Sequence, residues 1–254
     1  MGFAILYATV FAAHRWYDVI GSAPAYALAV SITTAAMLYA VVVNEVVVAV
    51  LALAGGYVTP IVLSRGENLP NLLFGYVLIL SAGATVCAYW RKWSAVNVLA
   101  FLGTYGLYTG WFEKFYRPAM QTPGPPDQLG VALFWLAVFF SVYLVLPVLH
   151  TLLKRVRSEV QDMVLVLANA GVVFYYLWTM LAPRHEEWLA LGSLVMGMAY
   201  LGLMGLVSLR CRADRDLRNA LLVAGLALVT LAVPLYFEMY AVATIWAVEA
   251  VALT

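Results

Sequence analysis

The chain has 254 residues, of which 65% are hydrophobic and 11% charged, and its mean hydropathy is +0.92, whereas a soluble domain is about a quarter charged. Water is excluded as the solvent for most of this surface. The net charge of +1 gives no reason to expect nucleic acid as a partner.

Apolar runs near the ~20 residues needed to cross a bilayer recur along the whole length, separated by short charged stretches. The expectation is an all-α, polytopic transmembrane helical bundle of about 9–10 spans, a single domain over residues 1–254 with the lipid bilayer as its first partner. The N-terminal stretch MGFAILYATVFAAHRWYDVI lacks a basic n-region, so it is read as a retained span, not a signal peptide.

In chain order, the first span runs from Gly2 to Tyr17 and the second from Ala25 to Val43, with Pro24 suited to the first helical position. Asn44 and Glu45 make a tight turn, Asn44 being placed to cap the third span, Val46 to Leu63. Asn71–Trp90 and Ser94–Phe112 follow as spans four and five. EKFYRPAMQTPGPPDQLG is the longest loop, too rich in proline to be helical, and Trp111, Phe112, Phe115 and Tyr116 at its start suit an interfacial aromatic belt. Spans six to nine are Val131–Leu153, Met163–Ala182, Trp188–Leu209 and Ala220–Pro234; a tenth apolar run begins near Tyr240 and is unfinished at Thr254, as in a piece of a longer protein.

Lys and Arg distribute unevenly between the two sets of loops. Arg91, Lys92, Lys154, Arg155, Arg157, Arg210, Arg212, Arg215 and Arg218 fall on the side of the N-terminus, against Arg15, Arg65, Lys114, Arg117 and Arg184 opposite. This bias predicts a cytoplasmic N-terminus, with the proline-rich loop on the opposite side of the membrane.

Four features could carry function. Gly55, Gly56, Thr59 and Pro60 set the two strongest helix breakers inside the third span, the glycines about nine residues in and so near mid-membrane. Pro60 removes a backbone donor and frees the carbonyl of Gly56. Either a helix break there offers backbone groups to a ligand, or the glycines serve close packing. Trp246 and Glu249, spaced i to i+3, would share a face of the tenth run; an intramembrane carboxylate there either couples ion movement or bonds a neighbouring helix. His14, Arg15 and Asp18 form a possible outer-face polar cluster. Small residues at Gly103, Gly106 and Gly110, and at Ser193 and Gly197, would let helix backbones approach, while Asn97 and Asn169 would hydrogen-bond between helices.

The two cysteines, Cys87 and Cys211, fit no metal or redox spacing, and His14, His150 and His185 lie on separate segments. No metal or cofactor is therefore expected. No phosphate-binding loop or hydrolase signature occurs.

FAAHRWYDVI, LALAGGYVTPIVLSRGENLPNLLFGYVLIL, the RKW that follows and NVLAFLGTYGLY resemble a family of large bacterial membrane proteins catalogued as domain of unknown function 2339. LALVTLAVPLYFEMYAVATIWAVEAVAL resembles its pattern of a span ending in Pro followed by a helix with W-x-x-E. The matching positions are Gly55, Gly56, Thr59, Pro60, Phe74, Gly75, Tyr76, Trp93, Thr104, Pro234, Trp246 and Glu249; Asn44-Glu45 departs, since a basic residue is expected in that turn. The resemblance implies a long array of transmembrane helices and no assigned activity. The reading that follows is transport or flipping of an apolar or amphipathic envelope component, a lipid or lipid-linked molecule. The alternatives are a non-catalytic scaffold that packs other membrane subunits, and a membrane-embedded transferase using Glu113, Arg117 and His185.

Overall fold

The structure, a computed structural model, describes residues 2–64, 66–91, 93–121, 128–154, 158–182, 185–211 and 214–236. Its elements are α1 (Gly2–Phe11), a π-helical turn (Ala12–Trp16), α2 (Ser22–Val43), α3 (Val46–Leu63), α4 (Pro70–Trp90), α5 (Ser94–Trp111), a second π-turn (Phe112–Tyr116), α6 (Arg117–Met120), α7 (Leu129–Lys154), α8 (Val160–Leu181), α9 (Glu186–Arg210) and α10 (Arg215–Tyr236). Seven of these, α2, α3, α4 and α7 to α10, are long and apolar enough to cross a bilayer. The fold is thus an all-α, multi-pass membrane bundle, as its hydropathy requires. α5 matches them in length but carries Asn97, Thr104, Thr109 and two tyrosines, which lower its apolarity. The chain divides into two compact units, Met1–Val142 and Tyr143–Thr254.

Local chemistry sets the helix ends, and several differ from expectation. Asn44 does not cap α3; it ends α2 in the left-handed conformation (φ 62°), which asparagine tolerates better than most residues. Glu45 then stands at the N-cap of α3. α2 starts at Ser22, so Pro24 occupies its third position, still within the first turn where a missing amide costs nothing. α8 and α10 begin earlier than hydropathy suggests because polar residues cap them. Glu159 and Asp162 form a reciprocal capping box on α8, Glu159 N donating to the Asp162 carboxylate at 2.9 Å. The carboxylate of buried Asp214 accepts from Leu217 N at 3.2 Å to cap α10, and from the Ser158 amide and hydroxyl at 2.8 and 3.0 Å. That one side chain ties the turn before α8 to the turn before α10.

The expectation for the proline-rich loop is corrected in its first half. Residues 113–120 are helical, as the second π-turn and α6. Pro118 sits in the first turn of α6, directly after the π-turn, and Arg117 grips Glu113 one turn back through both carboxylate oxygens, at 2.9 and 2.8 Å. The aromatic belt is corrected as well. Trp111, Phe112 and Tyr116 are buried rather than lipid-facing. The π-turn stacks Tyr116 on Phe112 with centroids 5.0 Å apart, and Trp111 packs edge-on against Phe74 at 5.2 Å. Phe74 is the hub of this cluster, also meeting Tyr108, Trp135 and Phe139 at 5.3 to 5.8 Å.

In the second unit, α9 and α10 cross through glycine. A Cβ on Gly197 would stand 2.9 Å from the Gly225 carbonyl oxygen, and one on Gly225 3.1 Å from that of Gly197. Beside this crossing the Ser193 hydroxyl donates to Leu228 O at 2.7 Å. Asn169 donates to the Tyr200 hydroxyl, which donates to Val166 O, both at 3.1 Å, joining α8 to α9. These buried side chains satisfy polar groups that lipid could not.

Candidate intramembrane site in the first unit

α3 is continuous from Val46 to Leu63 and passes through Gly55, Gly56 and Pro60 without interruption, so of the two readings of this stretch the helix does not break. The freed carbonyl is nevertheless real and has a specific partner. The Tyr76 hydroxyl on α4 donates to Gly56 O at 2.7 Å, in a buried position. The missing i to i−4 bond is replaced by a side chain from another helix, which keeps the backbone satisfied and the helix intact. Thr59 Oγ1 donates to Gly55 O at 2.8 Å, at the carbonyl next to the one that Tyr76 holds. Thr33 in turn donates to Ala29 O at 2.8 Å and shares a hydrogen bond with the Tyr7 hydroxyl of α1.

The glycines have distinct neighbours. A Cβ on Gly56 would be 3.1 Å from Thr33 and 3.2 Å from Leu80, so Gly56 lets α2 and α4 close on α3. Gly55 faces the Tyr7 ring at 3.4 Å, an ordinary contact, and lines a crevice. That crevice holds about 600 Å³ between α1, α2 and α3. Phe3, Phe11, Val48, Leu51, Val58 and Val62 supply apolar walls, while Tyr7, Thr59 and Gly55 bring the hydroxyl cluster to its lining. Gly56 and Pro60 are not among its lining residues; Pro60 lines a second cavity on the other side of α3.

A family model described as "Predicted membrane protein (DUF2339)" matches residues 1–254. The chain belongs to the DUF2339 family. No curated protein and no solved structure matches it.

In this DUF2339 chain several of the positions picked out by resemblance gather around α3, whereas Pro234 lies on α10 in the second unit and Trp246 and Glu249 fall outside the described residues. Gly55, Gly56, Thr59, Pro60 and Tyr76 form the hydroxyl and carbonyl cluster just described, and Phe74 centres the aromatic cluster. Thr104 closes a buried triangle of hydroxyls with Tyr57 and Ser81, with sides of 3.1, 3.0 and 3.2 Å. The polar tail of the third span also has a structural task that its sequence did not disclose. Asn68 Oδ1 accepts from the Trp111 indole at 2.9 Å, Asn68 Nδ2 donates to Gln128 at 3.1 Å, and Asn71 Oδ1 accepts from the Trp135 indole at 3.0 Å. A buried indole N–H needs an acceptor, so an asparagine near aromatic-rich spans was the available signal.

The remaining candidates are dispersed. His14 lies in the first π-turn, fully buried, with Nδ1 hydrogen-bonded to Ile20 O at 2.9 Å, while Arg15 and Asp18 are exposed. Asp18 has a left-handed backbone (φ 51°), which makes this segment a turn. Glu113 and Arg117 pair with each other at the surface of the first unit, and His185 belongs to the second unit, at the N-cap of α9. Trp246 and Glu249 lie outside the described residues. Asn97 is buried on α5, and among the described residues its Oδ1 accepts no hydrogen bond.

The Tyr76–Gly56 bond yields a direct expectation. Tyr76→Phe leaves a buried carbonyl without a donor and is expected to cost ~1–3 kcal/mol. Pro60→Ala supplies an amide N–H to the same carbonyl, so the Tyr76→Phe cost is expected to shrink in that background. Thermal melting of the wild type, both single variants and the double variant in detergent measures the coupling; additive costs would show that Gly56 O is not the shared acceptor.

Proposed function

We propose that this membrane protein binds an apolar or amphipathic envelope component in the crevice between α1, α2 and α3, and that binding is a step in moving that component within or across the bacterial inner membrane. The observation that carries the reading is the crevice itself. Its volume of about 600 Å³ falls within the range of small-molecule sites, and apolar walls with a few convergent polar groups are their usual composition. Gly55 and Thr59 supply the opening in the wall, and the hydroxyls of Tyr7 and Thr59 could meet an ester or hydroxyl of the ligand. The excess of Lys and Arg in loops on the N-terminal side supports a cytoplasmic N-terminus. On the sequence argument, Glu249 is the carboxylate that would couple movement to an ion gradient.

The test is movement of a fluorescent phospholipid between leaflets of liposomes that contain the purified protein. Gly55→Leu fills the crevice from the α3 side and is expected to abolish the protein-dependent rate. Gly55→Ala, whose Cβ makes only an ordinary contact with the Tyr7 ring, is expected to keep both the rate and the melting temperature near those of wild type. Glu249→Gln is expected to remove any dependence on a proton gradient. Unchanged movement with Gly55→Leu would overturn the role of the crevice.

A further inference from the structure

On the other side of α3 from the crevice lies a smaller cavity of about 240 Å³ with a different chemistry. Leu63, Leu72, Leu73 and Leu107, from α3, α4 and α5, give it an apolar wall, and Tyr26 and Trp111 add aromatic faces. Its lining also contains Ser22, Ser64, Glu67 and Lys114, which come from the ends of α2 and α3, the α3–α4 turn and the second π-turn. These polar residues sit where four antiparallel segments end together: α2 begins at Ser22, α3 ends at Leu63, α4 begins at Pro70 and α5 ends at Trp111. The cavity is therefore apolar toward the membrane interior and charged toward its boundary.

Local backbone features present the two charges. Gly66 takes φ 87°, a conformation that glycine adopts without strain, and its amide donates to Ser64 Oγ at 3.2 Å. This fixes the turn that carries exposed Glu67. Elsewhere in the lining, the π-turn adds a residue to the helical register, burying Phe112 and Tyr116 while leaving Lys114 exposed. Such single-turn π-bulges recur at functional sites. The Lys114 ammonium lies over the Phe115 ring, 5.1 Å from its centroid, and Phe115 lines the same cavity.

We infer that this cavity is a headgroup site for an amphiphile that carries both a phosphate and an amine, as an aminophospholipid does. The Lys114 ammonium meets the phosphate, the Glu67 carboxylate meets the amine, and the leucine wall receives the first methylenes of the chain. A volume of about 240 Å³, at ~30 Å³ per water displaced, accommodates a headgroup but not whole acyl chains. The inference deepens the reading of the protein as one that handles amphipathic envelope components, and names their headgroup. It is a statement about binding, so it is testable apart from movement.

The experiment is native mass spectrometry of the detergent-solubilised protein with phosphatidylethanolamine and phosphatidylglycerol of identical acyl chains in equal amounts, and with soluble phosphoethanolamine as competitor. The wild type is expected to retain phosphatidylethanolamine over phosphatidylglycerol by roughly fivefold, the scale of one exposed charge contact. Glu67→Gln should erase that preference, and Glu67→Lys should reverse it. Lys114→Gln should lower retention of both lipids. Both positions of substitution carry exposed side chains, so melting temperatures of the three variants should match the wild type. Equal retention of the two lipids by the wild type, or an unchanged ratio in Glu67→Lys, would overturn the proposal. Displacement of lipid by soluble phosphoethanolamine at equal concentration would also overturn it, by showing that the leucine wall adds nothing. If lipid preference holds while leaflet exchange in liposomes is absent, the headgroup site stands and the transport reading alone falls.

Discussion

Gly103→Ala is expected to destabilise the first unit more than any other single methyl addition in it. A Cβ at Gly103 would stand 2.4 Å from Cγ of Tyr57 and 2.6 and 2.7 Å from the adjoining ring carbons. These are the root of a ring, not the end of a flexible chain, so the ring cannot rotate away. Tyr57 is held by its hydroxyl, which shares hydrogen bonds with Ser81 at 3.2 Å and Thr104 at 3.1 Å. Relief of the clash therefore requires either separation of α3 from α5 or loss of the hydroxyl triangle. Overpacking typically costs about 1–3 kcal/mol, and unpaired buried hydroxyls add about 1–3 kcal/mol more. Thermal unfolding in detergent should show a large drop. Tyr57→Ala should be destabilising alone and should recover much of the Gly103→Ala loss when combined with it. A Gly103→Ala protein that melts like wild type would show that α5 does not rest on the Tyr57 ring.

Gly197→Leu is expected to have a comparable effect in the second unit, for a different reason. The first atom of any side chain at Gly197 would meet Val229 Cγ2 at 2.7 Å, the Gly225 carbonyl oxygen at 2.9 Å and the Val229 amide nitrogen at 3.1 Å. Two of these are backbone atoms, so the helices must move apart. Helix pairs in lipid gain little from apolar burial, since acyl chains are as apolar as leucine; their attraction rests on close packing and interhelical hydrogen bonds. Separation of α9 from α10 would weaken both, including the Ser193–Leu228 bond of 2.7 Å. The expected loss is ~2–4 kcal/mol. Gly197→Ala should lie between wild type and Gly197→Leu. The readout is the melting temperature together with protease sensitivity of the second unit; equal stability of Gly197→Leu and wild type would remove the glycine crossing as a source of cohesion.

The expected stripe on the fifth span separates in the structure according to what each glycine touches. Gly103 meets a ring, whereas a Cβ on Gly106 or Gly110 would have no neighbour within 4 Å among the described residues. Helical spacing placed these residues on one face, but spacing says nothing about how far along that face the neighbouring helix stays in contact. Ser193 and Gly197 do share a contact with α10, because the crossing point happens to fall between them.

The site around α3 divides in the same way. That Pro60 would free the Gly56 carbonyl follows from covalent chemistry and helix geometry, and needs only the sequence. That Tyr76 would answer it does not, because the donor comes from a different helix 20 residues away. α3 runs through Pro60 unbroken for this reason: once a hydroxyl replaces the missing amide, nothing drives the helix apart. The aromatic belt failed for a related reason. Trp, Tyr and Phe near a span end look alike whether they face headgroups or each other, and only the π-turn and the arrival of Phe74 and Tyr108 decided for burial.

By itself the sequence determined the solvent, the class of fold, the positions of most spans and the family, because composition and a run length near the membrane thickness are properties of the chain alone. It also determined which backbone carbonyl would need a partner. Tertiary structure decided which side of each helix faces lipid and which faces protein. In spans this uniformly apolar no polar face marks the outside, so the choice falls to a few hydroxyls, amides and glycines whose partners lie 20 to 64 residues away. The crevice beside Gly55 and the charged cavity between Glu67 and Lys114 exist only through that choice.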